Sequence, residues 1–251
     1  MHTVVFGDSI AKGIVTMNGK LETIENNAVK LISDFYHQTI DNVSFYGQTL
    51  KRIFDKNIID QYLGSLEHRE ELYVVFALGG NDSDYDWNKV SQNPHIHHDP
   101  KTPIRAFEEM LIQMIKQLQS KGISVILTTI IPLDSQLYFD QVISKMGDPE
   151  QIMIFLNQDV ENIARQQKEY SSAIMRCAEE TQSLLIDVRS KMELNAETLK
   201  YMCKDGVHPN ENGYKFLADS IIELINQNDS FEKWRNVNQL SNKQSLIARV
   251  D

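Results

Sequence analysis

Near its start the chain reads His2-Thr3-Val4-Val5-Phe6-Gly7-Asp8-Ser9. Thr3–Phe6 is short, is rich in β-branched and aromatic residues, and lacks the alternation of a half-exposed strand. It therefore reads as a strand buried on both faces, the habit of parallel sheets. Four more runs share this character, at Asn42–Tyr46, Leu72–Leu78, Ser124–Thr129 and Leu184–Val188. Segments of helical period separate them, at Ile24–Gln38, Leu50–Leu63, Ile104–Lys121 and Ile152–Glu180, and Glu211–Asn226 follows the last strand. In Ile104–Lys121 the apolar residues Ile104, Phe107, Met110, Leu111, Met114, Ile115 and Leu118 form one stripe, with Thr102 placed to cap the helix and Gly122 to end it. Strand and helix alternating through short joins imply right-handed βαβ units, hence an α/β three-layer α/β/α sandwich around a parallel sheet.

The 251 residues are 41% hydrophobic, enough for a packed core. They read as one domain over residues 1–228. A charged tail, 229–251, holds Phe231 and Trp234 and is expected to pack on the domain or on a partner chain; oligomeric state is left open. The net charge of -10, with no long basic run, argues against nucleic acid or an anionic membrane surface as partner. No apolar stretch reaches the roughly 18 residues of a membrane span. Cys177 and Cys203 show neither metal-ligand spacing nor a disulfide framework, so a reducing, cytoplasmic compartment is expected.

Two connections are too long for plain turns. Residues 83–103 and 132–150 both follow strands and so lie at the carboxyl edge of the sheet, where open α/β folds bind ligands. They are candidate lids and pocket walls. Asp84, Tyr85 and Trp87 would line a pocket or anchor their loop. The cluster His95, His97, His98 and Asp99 has no distant partner motif, and a solvated loop is the better reading than a metal site.

Chemistry concentrates at the strand ends. Asp205-Gly206-Val207-His208-Pro209 puts a carboxylate and an imidazole three positions apart in one loop. A general-base histidine needs an anion on its other ring nitrogen, to fix the tautomer and stabilise the imidazolium. Ser9, at the end of the first strand, supplies a nucleophile near a helix N-terminus. Gly47 and Asn81 follow the second and third strands and offer a backbone N–H and a side-chain amide, neutral donors suited to an oxyanion. Asp8 and Asp82 are read as caps of their own turns. Ala11 stands where Gly-x-Ser-x-Gly needs its second glycine, which disfavours an ordinary α/β-hydrolase elbow. Lys12 precedes Gly13 rather than following it, so a phosphate-binding loop is poorly supported.

Gly7-Asp8-Ser9, Gly47, Gly79-Gly80-Asn81-Asp82 and Asp205-Gly206-Val207-His208-Pro209, in that order along the chain, resemble the sequence blocks of the SGNH hydrolases, also called GDSL-type lipases and esterases. The resemblance implies a flavodoxin-like sandwich of about five parallel strands. It implies Ser9 as nucleophile, His208 as base and Asp205 as its orienter, with the Ser9 and Gly47 N–H groups and the Asn81 amide as oxyanion donors. The activity expected is hydrolysis of an ester through an acyl-enzyme, with short acyl groups on a soluble carbohydrate-like substrate favoured and no metal or cofactor. A lysophospholipase or thioesterase is the enzymatic alternative, favoured if Leu137–Phe139 lines an acyl tunnel. A non-catalytic ligand-binding module on the same fold is the other.

Overall fold

The computed structural model describes residues 2–17, 19–66, 71–195 and 197–236. In chain order these form β1 (His2–Gly7), α1 (Ser9–Lys12), β2 (Ile14–Met17), β3 (Lys20–Thr23), α2 (Ala28–Tyr36), β4 (Ile40–Asn42), α3 (Leu50–Asp55) and α4 (Ile58–Gly64). There follow β5 (Leu72–Ala77), α5 (Trp87–Gln92), α6 (Ile104–Ser120), β6 (Ser124–Thr128), α7 (Ser135–Gln141), α8 (Pro149–Phe155) and α9 (Glu161–Thr181). The chain continues through β7 (Leu184–Ile186), α10 (Val188–Glu193), α11 (Glu211–Gln227) and α12 (Glu232–Arg235).

Five strands pair in the order β4-β1-β5-β6-β7, all parallel. Counting only these strands along the chain, the order is 2-1-3-4-5, the flavodoxin-like arrangement, with its switch point at the carboxyl ends of β1 and β5. The period-2 alternation of side chains divides each strand between two helical layers. Val4, Phe6, Val74, Phe76 and Leu127 pack against Ile53 of α3, Phe107, Leu111 and Ile115 of α6, and Tyr170 and Ile174 of α9. Tyr73, Ile126 and Ile186 face the other way, onto Ala28 and Ile32 of α2 and Tyr214, Leu217 and Ile225 of α11.

Several elements differ from the sequence expectation, for local reasons. The second strand ends at Asn42, yet the Val43 and Phe45 amides still donate to the Val5 and Gly7 carbonyls, so the segment runs on alongside β1 toward its carboxyl end. The expected helix over Leu50–Leu63 breaks at Asn57 (φ 49°), and that over Ile152–Glu180 breaks at Asn157 and Gln158 (φ 53° and 59°). Asparagine enters the left-handed region more readily than most residues, and a helix cannot pass through it. Thr102 does not cap α6: it is buried, and its hydroxyl donates to Asp82. Gly122 does end that helix, its N–H bonding the Gln119 carbonyl while Ile123 N–H bonds Leu118, a Schellman closure. The β2–β3 hairpin was not anticipated.

The long connections fold together. Trp87 and Val90 of α5 pack with Leu133, Phe139 of α7, Ile143, Ile152 of α8, Leu156 and Ile163 in an apolar cluster of their own. The start of the tail packs on the chain itself. Phe231 and Trp234 are buried among the α2 and α11 residues, Trp234 Nε1 donates to Thr3 Oγ1 at 3.1 Å, and the Trp234 carbonyl accepts from Gln38 Nε2 at 2.7 Å. Residues 237–251 lie outside the described part. Trp234→Ala should therefore destabilise the protein by about 3–5 kcal/mol in urea unfolding. A loss below about 1 kcal/mol would mean that the tail is not part of this core.

Candidate active site

Ser9 begins α1 directly after β1. Asp8 caps this short helix, its carboxylate accepting from Ile10 N–H at 2.9 Å, and Gly13 closes it in the left-handed conformation. The Ser9 side chain is thereby held at the carboxyl edge of the sheet, at the switch point. His208 arrives from the other end of the chain. Met202 bridges Pro209, and the Cys203 N–H donates to the His208 carbonyl at 2.7 Å, so the intervening loop is a closed turn. Gly206 sits in it at φ 73°, and a Cβ there would meet Asp134 O and Tyr138 N at 2.6 Å, so the N-terminal end of α7 packs directly on the turn.

Ser9, Asp205 and His208 come together. His208 Nε2 lies 2.9 Å from Ser9 Oγ, and His208 Nδ1 lies 2.8 Å from Asp205 Oδ2. All three are buried. Asp205 Oδ1 accepts from the Val207 and His208 amides at 2.9 and 3.0 Å, and Oδ2 also accepts from the Thr16 hydroxyl. Burial works against the Asp205 charge, but the hydrogen bonds from His208 and Thr16 outweigh it and hold the carboxyl well below the usual carboxylate range. An anion fixed on Nδ1 leaves Nε2 facing the hydroxyl, the geometry in which an imidazole can take a proton from serine.

Asn81 follows β5, and its side chain donates to the Gln48 carbonyl at 3.1 Å. A primary amide has two N–H bonds, so the other stays free for an acceptor. Gly47 occupies the turn after β4 at φ 66°, a backbone state that favours glycine even though no neighbour would obstruct a Cβ. Tyr46, just before it, is 54% exposed and stacks on the His208 ring, with centroids 6.3 Å apart and planes 24° from parallel.

Asp8 and Asp82 differ from Asp205. Burial raises the Asp8 carboxyl to about 6, its hydrogen bond from Ile10 opposing. Burial raises that of Asp82 as well. Asp82 reaches beyond its own turn. Its oxygens accept from Leu50 and Lys51 at the start of α3 and from Thr102, so it ties the Asn81 turn to two other segments.

A recess of about 60 Å³ opens beside Ser9, walled by Asn81, Asp84, Tyr85, Tyr138 and Gln167. Tyr138 OH donates to Asp84 Oδ2 at 3.2 Å, and Trp87 Nε1 donates to Asp84 Oδ1 at 2.8 Å. Trp87 is thus a buried anchor that also reaches the recess wall. Of Leu137, Tyr138 and Phe139 only Tyr138 lines the recess; Phe139 is in the α5–α8 cluster. A larger apolar cavity, about 120 Å³, lies between the sheet and α2 and α11, and Ser9 is not among its lining residues. His97 pairs with Asp99, and His98 with the Asn93 carbonyl. Among the described residues no group of three or more His, Cys, Asp or Glu side chains is placed to hold a metal ion.

Thr16 and Tyr46 are site contacts that sequence reading missed, and for Thr16 the reason is the hairpin. A signal was present: Asn18-Gly19 flanked by Ile14-Val15-Thr16-Met17 and Lys20-Leu21 is a strong hairpin pattern.

No curated protein sequence matches the chain. Among solved structures, a lipase/acylhydrolase from Enterococcus faecalis is similar at 21% identity and a TM-score of 0.58, covering 90% of this chain and 95% of that one. An acetylxylan esterase from Geobacillus stearothermophilus gives 19% and 0.54, covering 89% and 93%. TesA gives 17% and 0.57, covering 90% and 98%. At these identities the likeness shows a shared fold. The family model for GDSL-like lipases and acylhydrolases matches residues 5–216. Since that match runs from the first strand into the last long helix, the chain belongs to the GDSL-like lipase/acylhydrolase family.

Proposed function

We propose that the chain is a serine esterase acting through Ser9, His208 and Asp205. The observation that carries this reading is the continuous hydrogen-bonded string from Asp205 Oδ2 through both ring nitrogens of His208 to Ser9 Oγ, at 2.8 and 2.9 Å. Ser9 Oγ attacks the ester carbonyl carbon while His208 Nε2 takes the hydroxyl proton, and Asp205 stabilises the imidazolium. The tetrahedral oxyanion accepts from Ser9 N–H, Gly47 N–H and the free Asn81 amide hydrogen. As the adduct collapses the C–O bond to the alcohol breaks, and His208 returns its proton to the departing oxygen. Water then repeats the sequence on the acyl-enzyme and releases the acid and Ser9.

The substrate proposed is a short acyl group, such as acetyl, on a soluble, hydroxyl-rich alcohol of carbohydrate type. A recess of about 60 Å³ beside Ser9 favours a small acyl group over a long chain. Its walls mix apolar side chains such as Leu133 and Ile163 with Asp84, Tyr85, Tyr138 and Gln167, whose donors and acceptors suit a hydroxyl-rich alcohol. The exposed Tyr46 ring beside His208 offers a face on which a sugar could stack. The placement of Phe139 in a packed cluster weighs against an acyl tunnel along Leu137–Phe139, and with it against the lysophospholipase or thioesterase alternative. A cytoplasmic location belongs to the same proposal: both cysteines are buried and free, and no helix among the described residues is long and apolar enough to cross a membrane.

Purified protein should hydrolyse p-nitrophenyl acetate faster than the butyrate or octanoate ester and take a fluorophosphonate label on Ser9. Neither should occur with Ser9→Ala. A wild type that does neither, or a Ser9→Ala variant that keeps both, would overturn the reading. A preference for octanoate would overturn the short-acyl part alone. Asn81→Ala should lower kcat by about 10²–10³-fold with KM little changed; an unchanged kcat would remove Asn81 from the oxyanion donors.

A further inference from the structure

Asp205 is bound from two directions. Its Oδ1 accepts the Val207 and His208 amides, and its Oδ2 accepts His208 Nδ1. These three donors belong to the same turn as Asp205 itself. The fourth does not. Thr16 Oγ1 donates to Oδ2 from the β2–β3 hairpin, 189 positions away in sequence. A carboxylate held only from its own turn can still shift with that turn and carry the His208 contact with it. A donor on a separate segment opposes that shift, because displacement would break a charge-assisted hydrogen bond.

The hairpin is built to be such a segment. It leaves α1 through Gly13, whose carbonyl accepts from Ile24 N–H at 2.9 Å and closes the hairpin's base. The Ile14 carbonyl accepts from the buried hydroxyl of Tyr214 in α11 at 2.8 Å. The Thr16 amide donates to Cys203 Sγ at 3.3 Å, and that thiol donates onward to the Pro209 carbonyl at 3.3 Å. Thr16 therefore touches the Asp205 turn with both its amide and its side chain. Being β-branched, it has few rotamers with which to leave. The stretch that begins with Ser9 reaches, seven residues on, the acid that orients the base for Ser9.

From this juxtaposition we infer that Thr16 is a positioning residue for the esterase chemistry, its hydroxyl fixing the Asp205 carboxylate in the orientation that aligns His208 on Ser9. The inference rests on the triad reading proposed above and adds to it a fourth member drawn from the hairpin. Thr16 does not touch substrate. Its loss should slow the chemical step while leaving substrate binding intact.

Three variants test this, with rates on p-nitrophenyl acetate expressed per fluorophosphonate-titrated site so that misfolded protein is not counted. Thr16→Val keeps the shape and removes the hydroxyl. It should lower kcat about tenfold, the scale of one hydrogen bond to a charged group, with KM within about twofold. Thr16→Ser keeps the hydroxyl and should recover most of the rate. Leu21→Ala trims an exposed side chain on the partner strand and leaves the hydroxyl and the contacts that hold Thr16 in place; its kcat should match wild type. The inference is overturned if Thr16→Val keeps wild-type kcat, if Thr16→Ser falls as far as Thr16→Val, or if Leu21→Ala loses as much as either. Thr16→Ala gives the same comparison should valine prevent folding. An inactive wild type would sink the esterase reading, whereas an active wild type with an indifferent Thr16→Val sinks only the role of Thr16.

Discussion

The hydrogen bond from Ser9 Oγ to His208 Nε2 joins residues 199 positions apart, and the arrangement of the molecule can be read as what keeps those two atoms in reach. Ser9 is fixed by β1, which pairs with β4 on one side and β5 on the other. His208 is fixed by a turn whose ends are pinned together before α11 and whose glycine admits the end of α7. Neither element contacts the other through regular secondary structure. They meet because a parallel sheet in the order 2-1-3-4-5 delivers strand ends, and the loops after them, to one rim. The flanking helices act on this geometry indirectly, by burying both faces of the sheet and so fixing where β1 ends.

Three buried aspartates near the site show how one residue type is turned to different ends. Asp8 caps α1 and Asp82 ties the Asn81 turn to α3 and Thr102; burial raises the carboxyl of each. Asp205 is buried too, yet it alone of the three has an imidazole hydrogen-bonded to its carboxylate, and its charge is held. The hydrogen-bonded imidazole, together with a shallower burial, separates the residue placed to stabilise an imidazolium from the two that shape backbone.

How much of this could be read from residues alone follows from how local each signal is. Val4, Val74, Val125 and their neighbours mark sheet strands because burial on both faces leaves a plain apolar run. Ser9, Asn81, Asp205 and His208 were legible because each sits in a short motif at the end of such a run. The helix breaks at Asn57 and Asn157 were not legible, since a single left-handed residue leaves the apolar period almost intact across it. Asp82 and Thr102 each looked like a local cap, and their partnership depends on two loops folding against each other. Thr16 was hidden for another reason. Its hairpin is short and its Asn18-Gly19 signal is clear in retrospect, but nothing in the sequence says which distant carboxylate the hydroxyl will meet.

The claim beneath all of this is that Ser9, His208 and the donors at Gly47 and Asn81 surround one tetrahedral centre. A crystal structure of the fluorophosphonate adduct tests it most directly. The account predicts phosphorus bonded to Ser9 Oγ, one phosphoryl oxygen at about 2.7–3.1 Å from the Ser9 and Gly47 nitrogens and the Asn81 amide, and His208 Nε2 on the opposite side. A label on another residue, or an oxygen turned away from all three donors, would contradict it.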